Sequence, residues 1–300
     1  MPTVTFHGTR GSCPCSGPEF ARFGGATACV SVETAEGEPP VVFDLGTGSR
    51  SLGESLVAAL LPPAPVSGAT GEPPSRPPRP ALVLSCFVTH LHFDHLQGLP
   101  FFLPALRPEV HLDIYAPWQD SGGLEESVAG FIRPPYFPVP LAELPAEIAL
   151  VGLADGSVVE LPGGGRLLAR QVPHRGPTLG YRLEAGGCSV AYLSDHQAPA
   201  GATNAVADSV LELAAGVDLL VHDAQYTLAE FATKAHWGHS TLSYAVEVAR
   251  QAGARRLALF HHDPTHGDDM LEALGDEAAA LAGSLLDVVV AADGLSLPVG

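Results

Sequence analysis

Positive charge is scarce in this sequence of 300 residues. Lysine and arginine together number 15 against 33 aspartate and glutamate residues, and Lys234 is the only lysine. The formal net charge of −18 creates a field that opposes the approach of a long polyanion. The composition therefore argues against a protein that binds extended DNA or RNA.

Long apolar runs and paired cysteines are also missing. No stretch of about eighteen uncharged apolar residues occurs, and the first residues lack the basic segment and apolar run of a signal peptide. We therefore predict a cytoplasmic protein without membrane association. The cysteines are odd in number and form no CxxC pair, in a chain too long to need disulfide staples. We expect reduced, mostly buried thiols at Cys13, Cys15, Cys29, Cys86 and Cys188.

Apolar segments bounded by glycine and proline indicate many strands. TVTFHG, ALVLSCFVTH, LGYRLEA, VDLLVHD and RRLALFH are examples, and helices are predicted over residues 50–60 and 240–252. Strands that arrive in runs, with helices between some of them, predict an α/β (α+β) sandwich of sheets covered by helices, in one domain over residues 1–300. Residues 62–80 are rich in proline, glycine and serine and are predicted to form a surface loop.

The central motif is HLHFDH, which places three histidines and an aspartate within six residues after an apolar segment. In an extended segment residues two apart face the same way, so His90 and His92 can hold one cation. The chain is then predicted to turn into a helix beginning near His95, which lets Asp94 and His95 point at a second cation. Histidine nitrogen and carboxylate oxygen suit zinc, and also manganese or iron, better than calcium or magnesium. Two such cations would return about four positive charges at one point, which predicts a small anionic substrate.

HxHxDH after an apolar strand resembles the signature of the metallo-β-lactamase superfamily, and the resemblance covers nearly the whole chain. It implies a four-layer αββα sandwich with a two-metal site at its edge. Further ligands are implied in chain order, as His174 in VPHRGPTLGYR, Asp195 in AYLSDH and His261 in LALFHHDP. The resemblance thus divides the ligands between two metals that share Asp195: His90, His92 and His174 for one, and Asp94, His95 and His261 for the other.

Several neighbouring residues have more than one interpretation. His261 competes with His262; alternation along a strand would send them to opposite faces, and the family pattern favours His261. Asp44 is expected to orient the metal-binding loop, to accept backbone N–H bonds in a turn, or to do both. Arg10 is expected at the surface, with substrate contact as the alternative. His222 is expected to support the site from behind.

The segment WGHST, at residues 237–241, resembles the GHST element of the phosphodiesterase branch of the superfamily. That branch includes ribonuclease Z and small-molecule cyclic phosphodiesterases. The resemblance implies that His239 stands beside the metals and protonates the leaving oxygen, and that Asp223 holds His239 as a carboxylate partner. The alternative is that Ser240 or Thr241 caps the next helix and His239 merely precedes it.

These parts predict a hydrolase of a small, cyclic nucleotide-like phosphodiester, with Asp94, Asp195, His239 and Asp223 as its catalytic residues. A hydroxide bridging the two metals would attack phosphorus while His239 protonates the departing alkoxide. The alternatives are a tRNA- or RNA-processing nuclease, which the net charge and the absence of a basic arm disfavour, and a thioester or lactone hydrolase, which needs His239 less. A binding-only protein is disfavoured because all seven expected ligand positions are filled. Relatives in this branch are often dimers, which leaves a homodimer open.

Overall fold

The computed structural model describes residues 1–61, 81–119, 123–199 and 205–300. The predicted surface loop at residues 62–80 lies outside this part of the chain. The described strands form two seven-stranded sheets. In chain order the strands of the first sheet are β1 (Thr3–Gly8), β2 (Cys29–Glu33), β3 (Val41–Phe43), β4 (Leu82–Phe87), β5 (Val110–Pro117), β6 (Glu147–Leu153) and β14 (Ser296–Pro298).

The second sheet takes its strands from the second half of the chain. They are β7 (Val158–Glu160), β8 (Arg166–Gln171), β9 (Leu179–Ala185), β10 (Cys188–Leu193), β11 (Leu219–Asp223), β12 (Arg256–Phe260) and β13 (Asp287–Val290). The two sheets have matching designs: the orders are β14-β1-β2-β3-β4-β5-β6 and β13-β12-β11-β10-β9-β8-β7. Each sheet is antiparallel over one part and parallel over the other.

Helices cover the outer face of each sheet. They are α1 (Ser49–Leu60), α2 (Phe93–Leu96), α3 (Gly123–Phe131), α4 (Asp208–Ala214), α5 (Leu228–Lys234), α6 (Leu242–Ala252) and α7 (Asp268–Ala282). Short 3₁₀ turns occur at Pro18–Phe20, Leu99–Phe101, Leu103–Leu106, Leu141–Glu143 and Gly283–Leu285.

Three apolar clusters define the layers. One lies between the sheets and joins aromatic side chains of both, as in the stacked pair Phe43 and Tyr192, whose ring centroids are 4.9 Å apart. The second packs α1, α2 and α3 on the first sheet, and the third packs α4, α6 and α7 on the second sheet. The predicted αββα sandwich is therefore confirmed.

The strand directions explain why polar residues gather at one edge. β3 and β4 are parallel to each other, and so are β10, β11 and β12. The carboxyl ends of parallel strands meet at the same edge of a sheet, which is where ligands bind in open α/β sheets. These strands end at or just before most of the predicted site residues, and His174 follows β8 of the second sheet.

Several details differ from the sequence prediction. The helix after HLHFDH begins at Phe93, two residues before the predicted start near His95. The predicted helix at residues 240–252 begins at Leu242, because Thr241 is its N-cap and accepts a hydrogen bond from the Tyr244 backbone. Although ALVLSCFVTH is almost uniformly apolar, β4 is not buried along its whole length, since Val83 is 38% exposed.

The predicted thiols agree with the structure: all five cysteines are free, and Cys29, Cys86 and Cys188 are buried. Among the described residues, we find no helix with the length and apolar character needed to cross a membrane.

Candidate metal centre

The HLHFDH segment changes from extended chain to helix within the motif. β4 ends at Phe87, the backbone at His92 is still extended, and α2 begins at Phe93. Asp94 and His95 therefore lie in the first turn of α2, and both are buried. This placement lets the motif present ligands both from an extended segment and from a helix.

The first histidine group consists of His90, His92 and His174, whose ring nitrogens lie within 4.8 Å of one another. His90 Nε2 is 2.7 Å from His92 Nδ1, and His174 Nε2 is 3.5 Å from the same Nδ1. His174 follows β8, so the second sheet contributes to this group. The structure thus brings together the three residues that the resemblance assigns to one metal.

The second group consists of Asp94, His95 and His261. His261 Nε2 lies 3.1 Å from Asp94 Oδ2 and 3.3 Å from His95 Nε2. His95 Nε2 is 3.2 Å from Asp94 Oδ2. His261 follows β12 and adopts a left-handed backbone with φ 60°.

Asp195 lies between the two groups and presents one oxygen to each. Its Oδ2 is 3.5 Å from His174 Nε2 and 3.8 Å from His90 Nε2. Its Oδ1 is 3.1 Å from His95 Nε2 and 3.2 Å from His261 Nε2. A carboxylate in this position can be shared by two cations.

The ring nitrogen of His95 that faces away from the cluster is also held. Asp44 accepts hydrogen bonds from His95 Nδ1 at 2.8 Å, the Thr89 backbone N–H at 2.7 Å and the Tyr192 hydroxyl at 2.9 Å. Such partners fix the ring orientation of a histidine and make it a better ligand. Both interpretations of Asp44 hold, because it contacts a candidate ligand and a backbone N–H together.

His174 is oriented by a glycine of the WGHST segment. Its Nδ1 donates to the carbonyl of Gly238 at 2.6 Å. Gly238 has φ 102°, and a Cβ there would lie 2.6 Å from the same nitrogen. Glycine is therefore needed both for the backbone conformation and for the close approach of His174.

The pKa values of the histidines shift in different directions in the two groups. Burial lowers the pKa of His90 well below its ordinary value, and it lowers the pKa of His174 as well. Burial also acts to lower the pKa of His95, but the carboxylates of Asp94, Asp195 and Asp44 outweigh it and raise that pKa well above its ordinary value. The surrounding carboxylates therefore favour a positive charge at the position of His95.

The residues present fit two divalent cations. Ligand atoms about 2.1 Å from a tetrahedral zinc ion lie about 3.4 Å from one another, and most of the separations above are close to that value. The four carboxylates of the cluster are at most 6% exposed, and two divalent ions would balance their formal charge: Asp44, Asp94, Asp195 and Asp223. Imidazole nitrogens facing each other at short range are a donor set suited to zinc, manganese or iron.

His239 lies beside this cluster. Its Nδ1 donates to Asp223 Oδ2 at 2.8 Å and is 3.6 Å from Asp195 Oδ2. Asp223 is in turn held by the backbone N–H groups of Gln225 and Ser240. The alternative role of Thr241 as a helix cap also holds, and the cap and the histidine–carboxylate pair occur together.

Two neighbouring histidines face away from the cluster. His262 Nε2 donates to the carbonyl of Ala291 at 2.9 Å. His261 and His262 diverge because His261 is already past the end of β12 in a left-handed conformation, not because of alternation along a strand. His222 is buried and pairs with His196 at 2.9 Å between ring nitrogens, which places it behind the site as expected.

Arg10 corrects the sequence interpretation. It is fully buried rather than at the surface, so it is not free to contact substrate. Its guanidinium donates to the carbonyls of Gly24, Asp263 and His266, which ties the first loop to the loop after β12.

Three features of the site were not predicted. His196 belongs to a buried histidine pair, the Ser12 backbone N–H donates to Asp94 Oδ2 at 2.7 Å, and Tyr192 donates to Asp44. Only His196, which directly follows the predicted ligand Asp195, had a signal in the sequence.

The comparisons with known proteins agree with this geometry. The family model described as "Beta-lactamase superfamily domain" matches residues 60–262. The chain therefore belongs to the metallo-β-lactamase superfamily, and it is a hydrolase of that fold.

Relatives and neighbours extend the comparison. Ribonuclease Z of Natronomonas pharaonis is 26% identical over 240 residues, covering 62% of this chain and 72% of the relative. Ribonuclease Z of Exiguobacterium sibiricum is 27% identical over 272 residues, covering 73% and 87%. The fold matches the metallo-β-lactamase fold protein YhfI from Bacillus subtilis (TM-score 0.69, 18% identity, 99% and 98% of the two chains). It also matches a diphosphatase of the PhnP family (TM-score 0.65, 19% identity, 99% and 98%). The predicted superfamily is confirmed, and the relatives named Ribonuclease Z belong to the branch that GHST resembles.

Proposed function

We propose that this protein hydrolyses a small anionic phosphodiester, with a cyclic nucleotide-like diester as the preferred class, at a site holding two divalent metal ions. The observation that carries the proposal is Asp195, whose two oxygens face two separate histidine groups while a histidine–carboxylate pair stands beside it. Relatives that carry the name Ribonuclease Z support phosphodiester chemistry.

The proposed ligand sets are those that the structure brings together. One metal would lie on His90, His92 and His174, the other on Asp94, His95 and His261, with Asp195 shared. Zinc is the proposed metal, with manganese and iron as alternatives. Bound divalent ions would lower the pKa of a water molecule and neutralise charge on the phosphoryl oxygens.

The chain's own residues would supply orientation and proton transfer. Asp94 and Asp195 each contact His95, and Asp195 faces both groups. Asp223 engages His239 Nδ1, which leaves Nε2 as the nitrogen that can deliver a proton to the leaving oxygen. Without that proton, an alkyl or ribose alkoxide would leave as a strong base.

An RNA-processing nuclease is the second candidate, because the curated relatives are named for that activity. Against it stands the net charge of −18, since a long RNA needs a positively charged docking surface. A thioester or lactone hydrolase would use the same cluster but has less need of the His239 and Asp223 pair. A cytoplasmic location completes the proposal, which is compatible with a homodimer.

The test combines metal analysis with a substrate panel on the purified protein. We expect two metal ions per chain and turnover of cyclic nucleotides and nitrophenyl diesters, with much slower turnover of lactones and thioesters. Faster cleavage of a precursor tRNA than of every small diester would favour the nuclease. Ester hydrolysis without diester hydrolysis would contradict the proposal.

A further inference from the structure

An aromatic cavity is lined in part by α2, the helix that also carries Asp94 and His95. It has a volume of about 650 Å³, and it is formed by α2, the 3₁₀ turn at Leu99–Phe101 and the segment that ends and follows α3. Its lining is mostly aromatic: Phe93, Phe101, Phe131, Tyr136 and Phe137. This volume is within the range of small-molecule binding sites, which are typically lined by apolar and aromatic side chains.

The rings in the cavity are arranged in edge-to-face pairs. Phe93 and Phe131 have ring centroids 5.0 Å apart with an interplanar angle of 83°, and Phe101 and Phe137 are 5.8 Å apart at 89°. These pairs are favourable for aromatic rings and position them against each other. Nevertheless Phe93 is 68% exposed, Phe101 60% and Tyr136 75%. A cluster of large apolar rings left in water marks a binding surface.

Phe93 connects this cavity to the metal cluster. It stands between His92, which belongs to the first histidine group, and Asp94, which belongs to the second. Consecutive Cα atoms are about 3.8 Å apart. The backbone of Phe93, a residue that lines the cavity, is therefore one peptide unit from a member of each group. Asp94 and His95 on α2 turn inward and are buried, whereas Phe93 and Gln97, one helical turn apart, line the cavity.

We infer that the cavity binds a planar aromatic group, a nucleobase or an aryl ring, that is esterified to the substrate phosphate. This inference rests on the proposed function, because it assigns the cavity to a substituent of the phosphodiester. Of the described residues, none with a charged side chain lines the cavity, which suits an uncharged ring better than a second phosphate. Stacking of one base on aromatic side chains corresponds to roughly a 10- to 100-fold gain in affinity.

The experiment compares pairs of phosphate esters in which one member carries an aromatic ring and the other does not. Dissociation constants are measured by calorimetry on the metal-loaded protein for adenosine 5′-monophosphate against ribose 5-phosphate, and for phenyl phosphate against ethyl phosphate. In at least one pair, we expect the member with the aromatic ring to bind roughly 10- to 100-fold more tightly. The first pair tests a nucleobase and the second an aryl ring.

The variants Phe101→Ala and Tyr136→Ala each remove an exposed ring and leave the metal ligands in place. We expect them to reduce the preference for the ring-bearing ligand about tenfold, with ribose 5-phosphate binding unchanged. Leu285→Ala is the matched control, because it removes an 88% exposed apolar side chain that lines neither the cavity nor the metal cluster.

Binding and turnover separate this inference from the proposed function. Equal affinities within both pairs in the parent protein would overturn the inference even if diesters are hydrolysed. A ring preference that persists without diester hydrolysis would count against the proposed function and in favour of the ring-binding cavity. A dimer, seen by sedimentation, that dissociates in Phe101→Ala and whose formation competes with adenosine 5′-monophosphate would assign the cavity to a second copy of the chain instead. Saturation-transfer NMR with adenosine alone gives a readout that needs neither turnover nor a phosphate.

Discussion

Replacing His239 by alanine tests the proposed proton donor. His239 is 8% exposed, its Nδ1 is 2.8 Å from Asp223, and backbone N–H groups hold that carboxylate in turn. A positioned general acid contributes about 10²- to 10⁴-fold when the leaving group is a strong base. At about 1.36 kcal/mol for each tenfold change, that is about 2.7–5.4 kcal/mol of transition-state stabilisation.

The assay compares two diesters that differ in leaving group. A nitrophenolate departs without a proton, so His239→Ala should lower its release less than about tenfold, whereas release of a ribose or alkyl alcohol should fall about 10²- to 10⁴-fold. Asp223→Asn should show the same dependence on leaving group with a smaller loss, because the carboxylate positions the imidazole. Single-turnover rates confirm that chemistry is being measured.

The variant His239→Ala also shows whether His239 is a proton donor or a metal ligand. Nitrogen and oxygen atoms that could bind a metal lie within 4.8 Å of one another in a set of four residues: Asp195, Asp223, His239 and His261. His239 is therefore close enough to be a metal ligand, and this role must be tested. Metal content should be unchanged in His239→Ala. Loss of one metal ion, or equal rate losses on both diesters, would refute the assignment of His239 as the proton donor.

The remaining predictions concern metal binding and stability. His92→Ala should reduce the metal content below two ions per chain, as measured by elemental analysis, while His111→Ala, a histidine bonded to Asp113 outside the cluster, should retain both. Asp44→Asn should weaken metal binding about 10- to 100-fold in a chelator competition titration, because His95 loses its carboxylate partner; unchanged affinity would mean that the Asp44 charge does not tune His95. Burial lowers the pKa of His7 from 6.5 to about 4. The unfolded chain therefore binds this proton more readily, and stability should fall as the pH drops from about 6.5 to about 4. His7→Gln, which can still form a hydrogen bond with Ser31, should remove about 2–3 kcal/mol of that fall in urea titrations, after allowance for partial exposure. Parallel pH profiles of the variant and the parent would contradict His7 as the cause.

Local spacing made part of the site predictable. His90 and His92 are two residues apart in extended chain, and this periodicity alone places them together. Asp195 and His261 follow strands that are parallel in the sheet, but their assignment depended on the family pattern. Periodicity shows only that such a residue is near a strand end, and many loop residues share that property.

Other contacts depend on loops that meet only in the folded chain. Arg10 is buried because its guanidinium donates to the carbonyl of Gly24 in its own loop and to the carbonyl of His266 in the distant loop after β12. The residue pattern around Arg10 does not indicate these contacts. His261 faces Asp94 and His95 through a left-handed backbone conformation, which is uncommon for a residue other than glycine and is not visible in the residue pattern. The aromatic cavity joins α2 to the end of α3, so its rings come from separate parts of the chain.

The placement of Asp195 and the two histidine groups means that the proposed metal ions would link the two sheets. The HLHFDH ligands follow a strand of the first sheet, whereas His174, Asp195 and His261 follow strands of the second. Neither half of the chain can complete either of the two proposed ligand sets alone, so the free energy of metal binding at those sets would be gained only when the halves dock. Chelation should therefore act first on the contact between the sheets rather than on either sheet. Two separately expressed halves would be expected to associate more tightly with metal than without it, in proportion to metal occupancy.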